Sequence, residues 1–244
     1  MVSLTPIAAS TLTTDRVYAS LKEAIVSLHL RPGESIVEAT IARQLGVSTT
    51  PVREALQRLA QEDLVVLSRY RGAAVRETTE TDIREIFELR EILEPQAVRL
   101  AVPLLSALEL AALQTSLQQA SSAITCQDFS SLSHANRCFH GTFIQNCGNK
   151  QLRQLLENLQ DRNRIIALLT WEDQGYDPLE HEEHEAILAS VVEGDADAAA
   201  DLARQHILRF ARTVCDIWSS RSTSAGQRND CPEGGTAGGV LTSG

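Results

Sequence analysis

The chain of 244 residues has 43% hydrophobic and 22% charged side chains, an ordinary globular composition with room for two domains, and no apolar run nears the roughly 20 residues of a membrane-spanning helix. The first residues form no basic, apolar leader and the five cysteines contain no CxxC pair, so a cytoplasmic protein is expected, without a disulfide framework or cysteine zinc cluster. The net charge of −10 is unevenly spread: residues 1–78 hold 9 Arg/Lys against 8 Asp/Glu, and residues 79–244 hold 13 against 24, so any contact with DNA must come from locally clustered arginines.

After an N-terminal extension (1–14), the stretch from Asp15 to Leu28 places Val17, Leu21, Ala24, Ile25 and Leu28 at helical spacing, and Pro32-Gly33 then breaks the chain. A second helix is expected over Glu38–Leu45, with Gly46 suited to the left-handed position beyond its end. Ser48 is placed to cap a third helix with Pro51 in its first turn and Val52, Ala55, Leu56, Leu59 and Ala60 as its apolar stripe. From Leu64 the period becomes extended, through a turn at Ser68–Gly72 and on to Ala73–Arg76, a hairpin. Three helices and a hairpin over 15–78 make a winged helix-turn-helix. In that arrangement the third helix enters the major groove N-terminus first. Thr49, Thr50 and Arg53 then face bases or phosphates, flanked by Ser48 and Arg43, while Arg69, Arg71 and Gly72 approach the neighbouring backbone or minor groove.

The run Leu45-Gly-Val-Ser-Thr-Thr-Pro-Val-Arg-Glu-Ala-Leu56, followed by Arg-Leu-Ala and Glu62-Asp63-Leu64 and continued at Arg71-Gly72, resembles the recognition segment of GntR-type transcription regulators. Many members carry an arginine where this chain has Thr49. The resemblance therefore implies an operator different from the usual one, with Arg53 left as the main candidate for base readout.

Beyond Thr79 only amphipathic helices are expected, about six of them, giving a mainly α protein with an all-α bundle over 79–218. The first, about Thr81–Val102, puts Arg90 on the stripe of Ile83, Ile86, Leu93 and Ala97, where a guanidinium needs a partner, and Pro95 is placed to kink it. Ser106-Ala-Leu-Glu109 is a capping box for the second. The third, about Asp128–Cys147, carries Asn136 and His140 on one face with Leu132 and Phe143. The fourth covers about Lys150–Thr170, and a loop from Trp171 to Pro178 leads to a fifth with His184 beside Ile187 and Leu188. The sixth places His206 between Ala203 and Phe210. Three inward histidines from three helices are a donor set for a borderline metal. Glu182, Glu183 and Glu185 carry no inward constraint, and the tail 219–244 is rich in Ser, Gly and Thr and is expected to be disordered.

The segments Asn136-x-x-Phe-His140, His184-x-x-Ile-Leu188 with Gly194-Asp195, and the late His206 resemble the helical ligand-binding (FCD) domain of the FadR-like branch. That resemblance implies a divalent metal of Zn, Ni or Mn type on an aspartate and three histidines, here Asn136, His140, His184 and His206, with a small carboxylate effector beside it and Arg90 facing the pocket. It further implies a homodimeric, sequence-specific regulator, expected to be a repressor, on a near-palindromic double-stranded DNA operator. The alternatives are a metal-dependent hydrolase with a DNA-binding appendage and a regulator with a vestigial sensor.

Overall fold

The computed structural model describes residues 10–68 and 72–226. Helix α1 (Ser10–Val26) buries Val17, Leu21 and Ile25 against α3 (Thr49–Gln61), which returns Val52, Leu56 and Leu59. It begins five residues before Asp15, inside the expected extension. The Thr14 hydroxyl hydrogen-bonds Glu54 of α3 at 2.8 Å, which anchors an early turn on its neighbour. The helix ends where Leu28 takes a left-handed φ of 61°.

Helix α2 (Glu38–Leu45) stops at Gly46, whose φ of 66° closes the helix without a Cβ penalty. Ser48 occupies the N-cap of α3 in extended conformation, yet its side chain makes no capping hydrogen bond. The expected cap is therefore positional only, and the exposed first turn keeps its N–H groups for other partners.

Strands β2 (Val65–Ser68) and β3 (Gly72–Val75) form the wing, with Val65 opposite Val75 and Ser68 opposite Gly72. A two-residue strand, β1 (Ser35–Ile36), adds to the other side of β3, giving the order β1-β3-β2. Two residues are too few for a period to be seen in sequence; Ile36, buried beneath the wing, is what holds them there.

The helical domain comprises α4 (Glu80–Ala101), α5 (Ala107–Cys126), α6 (Phe129–Asn146), α7 (Lys150–Gln174), α8 (Leu179–Val192) and α9 (Ala196–Gly226). Its starts are chemically marked. Thr79 with Asp82 and Ser106 with Glu109 are complete capping boxes; Asp128, Asn149 and Asp195 accept N–H bonds from the first turns of α6, α7 and α9. Helix α4 runs through Pro95 and packs along α9, α5 along α6, and α8 along α9.

Two boundaries differ from expectation. Helix α7 continues four residues past Thr170, because Trp171 is buried between Phe129 and Tyr176 and holds the last turn in place. Helix α9 continues past Ser219 to Gly226: Val214 and Trp218 are buried, and no breaker precedes Gly226, so the helix propagates at little cost. The rest of the expected tail, 227–244, lies outside the described residues.

One hydrophobic cluster is continuous from the winged helix, at Ile25, Leu56 and Val75, into the bundle, at Ile83, Ile166 and Trp218. A second lies between α4, α5, α6, α8 and α9 around Phe139, Phe143 and Ile187. Above the first, Asp82 accepts hydrogen bonds from the Thr79 backbone and hydroxyl, from Arg76 at the end of the wing (2.9 Å) and from Arg162 of α7 (2.7 Å).

Candidate DNA-binding surface and sensor site

The N-terminal end of α3 is solvent-facing. Ser48, Thr49, Thr50 and Arg53 are all exposed there, as is Arg43 on α2, while Pro51 and Val52 turn inward. Free N–H groups and hydroxyls at a helix N-terminus suit phosphate oxygens. Arg53 reaches back to Glu38, the first residue of α2, with Nη2 and Nε at 2.9 and 3.2 Å from one oxygen. No local pattern in the sequence pairs that acid with Arg53, which lies 15 residues away. Gly72, with φ 74°, lets the chain enter β3 at the wing tip, and Arg69 and Arg71 lie outside the described residues.

In the bundle, α4, α6, α7, α8 and α9 enclose a cavity of about 40 Å³, lined among others by Arg90, Asn136, His140, Asn163, Arg164 and His206. That is room for a few water-sized groups. His184, fully buried on α8, stands behind it with Nε2 3.1 Å from Nε2 of His140. One ring nitrogen from each of His140, His184 and His206 lies within 4.8 Å of the others.

Carboxylates hold two of these rings from behind. Nδ1 of His140 faces Glu94 at 3.2 Å, and Nδ1 of His206 faces Glu183 at 2.7 Å. Each contact leaves Nε2 for the cluster and fixes the ring, the arrangement that supports histidine ligands in metal sites. Burial depresses His206 to a pKa of about 4, assisted by the neighbouring His140 and opposed by Glu183. Burial and the adjacent histidines hold His184 well below the ordinary value. Both are therefore neutral at pH 7, the ligand form. Nδ1 of His184 is buried with no hydrogen-bond partner. These observations fit a metal. Asn136 sits one turn before His140 on the same cavity wall, as its spacing requires.

The partner that Arg90 needs is Glu94, four residues on, reached through Nε and Nη2, and Asn163 of α7 takes Nη1. Arg90 is thus fixed on the wall by its own neighbours, with part of its donor fork left over. Burial alone would raise Glu94; the Arg90 charge and His140 outweigh it and hold the carboxyl well below its usual range. Glu183, for which no inward constraint was expected, is drawn in by His206 and also binds Arg209. Only Glu94 had a local signal, the i, i+4 spacing from Arg90. Of the two cysteines near the site in sequence, Cys147 is buried and Cys138 is exposed.

A winged helix-turn-helix with an exposed recognition helix, joined to an all-α bundle around a polar cavity, defines a DNA-binding transcription regulator. The chain matches the gntR family of bacterial regulatory proteins over residues 13–75 and the FCD domain over residues 85–209. It is 31% identical over 206 residues to the Nta operon transcriptional regulator of Aminobacter aminovorans, covering 84% of this chain and 95% of that protein. It is 27% identical to the gluconate operon transcriptional repressor of Bacillus licheniformis, covering 88% and 91%. Among solved structures, McbR/YncC of E. coli superposes with a TM-score of 0.77 at 25% identity, covering 89% of this chain and all of that one. The protein belongs to the GntR family and carries an FCD domain. Its family and relatives are transcription regulators, not enzymes, and among the described residues no helix is long and apolar enough to cross a membrane.

Proposed function

We propose that the protein is a repressor that binds a near-palindromic operator as a homodimer and releases it when a small carboxylate occupies the helical domain. The observation that carries this reading is the cavity where Arg90 meets the histidine cluster. The wall-fixed guanidinium of Arg90 offers its remaining N–H groups to a carboxylate oxygen, Asn136 offers an amide, and Trp171 and Phe210 exclude water from the rest of the wall. His140, His184, His206 and Asn136 would hold a divalent ion of Zn, Ni or Mn type, which when bound would supply a Lewis-acidic anchor for the same carboxylate. The neutral amide of Asn136 is a weaker donor than an aspartate, so the histidines dominate the set. On the DNA side, Thr49, Thr50 and Arg53 are assigned to bases and phosphates, with Arg43, Ser48 and the wing residues Arg69, Arg71 and Gly72 on the backbone. The relative named for a gluconate operon supports both an organic-acid effector and repression.

The test couples metal analysis of the purified protein to operator capture. Genome-wide recovery of bound DNA yields the operator, and carboxylates drawn from the neighbouring genes are then titrated into a gel-shift assay. Release of DNA by one acid, lost in Arg90→Ala and weakened by chelator, is the expected result. Release that survives chelator but not Arg90→Ala points to a metal-free sensor. Operator binding that no carboxylate alters overturns the effector assignment.

A further inference from the structure

One group on the cavity wall has no role in carboxylate binding. Glu180, in the first turn of α8, is 4% exposed and lines the cavity with Trp171 and His206. Its Oε1 accepts a hydrogen bond from Trp171 Nε1 at 3.3 Å, and Oε2 accepts none from the described residues. Arg209, the cation whose charge reaches it, is already engaged by Asp177 (2.6 Å) and Glu183 (2.7 Å). Beside Trp171 the Tyr176 hydroxyl is also buried without a hydrogen bond. The arginines on the same wall are different: Arg90 is paired with Glu94, Arg137 with Asp161 and Arg164 with Glu23.

Glu180 is thus a buried carboxyl facing a polar cavity, with no cation hydrogen-bonded to it among the described residues and only Arg209, already engaged by Asp177 and Glu183, close enough for its charge to be felt. An ionised carboxylate so placed is costly unless a charged partner arrives, and burial accordingly pushes its pKa up to about 8. We infer that the ligand of this cavity bears an ammonium group as well as a carboxylate, the ammonium seated on Glu180 and the carboxylate on the Arg90 side. An ammonium brings three donors and a positive charge that holds Glu180 ionised; a hydroxyl brings one donor and no charge, and leaves the carboxyl protonated. The small cavity selects a short amino acid rather than a peptide. This inference rests on the carboxylate pocket proposed above and specifies its second contact.

The experiment measures binding to the full-length protein by calorimetry with two matched sets of acids: propionate, lactate and alanine, then butyrate, 4-hydroxybutyrate and 4-aminobutyrate. In at least one set the amino member is expected to bind about tenfold more tightly than both of its relatives. Glu180→Gln, the same shape without the charge, should shrink that preference to about twofold and leave the plain acids unchanged. Acids that bind the native protein with no preference for the amine, or with preference for the hydroxyl, overturn the inference while leaving the carboxylate pocket standing. If no acid of either set binds, the pocket itself falls and the inference with it. The native comparison decides the matter even if the variant does not fold.

Discussion

Arg53 is held by Glu38 across the turn of the helix-turn-helix, with both side chains in contact with solvent. Such a pair is weak and salt-screened, whereas a bidentate arginine–guanine contact discriminates strongly between bases. On the proposed DNA contact the base would outcompete Glu38 for the arginine, and Glu38 would weaken mainly the non-specific encounters. Arg53→Ala should lower operator affinity roughly ten- to a hundredfold. Glu38→Gln should leave operator binding nearly intact but raise affinity for random DNA, both read by fluorescence anisotropy at fixed salt. Unchanged operator affinity in Arg53→Ala would remove that residue from the recognition surface.

Asp82 carries a second residue-scale prediction. Burial would raise its pKa, but hydrogen bonds from Thr79 and Arg76 and the charge of Arg76 more than reverse this, and the carboxyl lies well below its usual range. A depressed folded pKa means that the contribution to stability is present above the unfolded value of about 3.9 and is lost as pH falls through the folded one. Denaturant midpoints of the native protein and Asp82→Asn should differ at pH 7 and converge as the pH is lowered below about 4. Midpoints separated by the same amount across that window would show that Asp82 acts through packing alone.

At the scale of elements, α1 and α7 meet through two adjacent pairs of opposite polarity. Lys22 meets Asp161 at 2.7 Å, and Glu23 meets Arg164 at 3.1 Å. Asp161 is almost fully buried while Glu23 is 60% exposed, so the two should not be worth the same. Double-mutant cycles are expected to give a coupling of about 1 kcal/mol or more for Lys22–Asp161 and less than about 1 kcal/mol for Glu23–Arg164. A reversed order would mean that the burial of Arg164, held in place by its Nε hydrogen bond to Ser133 at 2.9 Å, outweighs the exposure of Glu23.

These pairs mark the limit of what the chain discloses before it folds. Gly46, Pro51 and the capping box at Ser106 act within a few residues, so their meaning was legible locally. The three histidines were legible because each stands on an apolar stripe that must face inward. Glu183 beneath His206, Glu180 on the cavity wall and Arg164 on Glu23 depend on contacts 23 or more residues apart or on burial, which no local period encodes. The wing was visible as a hairpin, but β1 was not, because its pairing with β3 is set by Ile36 finding the core. The late end of α9 was hidden by a composition typical of linkers, which the burial of Val214 and Trp218 overrides.

At the scale of the molecule, the separation of charge matters first. The acidic domain repels DNA while the winged helix is nearly neutral, so operator binding is expected to rest on a few arginines and to weaken as salt rises. The continuous core gives a second expectation. Because one apolar cluster includes Leu56 of the recognition helix and Ile166 of the bundle, calorimetry should show the two domains unfolding in one transition. Two resolved transitions would mean that the shared cluster is too weak to couple them.

That shared core also limits how a signal can travel. A winged helix fused to its sensor is a lever arm rather than a bead on a string, with Asp82, Arg76 and Arg162 at the fulcrum. We therefore expect the proposed effector to find no slack linker to tighten and to act by tilting the bundle, a tilt that such a lever would magnify at α3. In the proposed dimer two such levers must reach successive major grooves about 34 Å apart, so a modest rotation at the fulcrum is enough to take both recognition helices out of phase with the DNA.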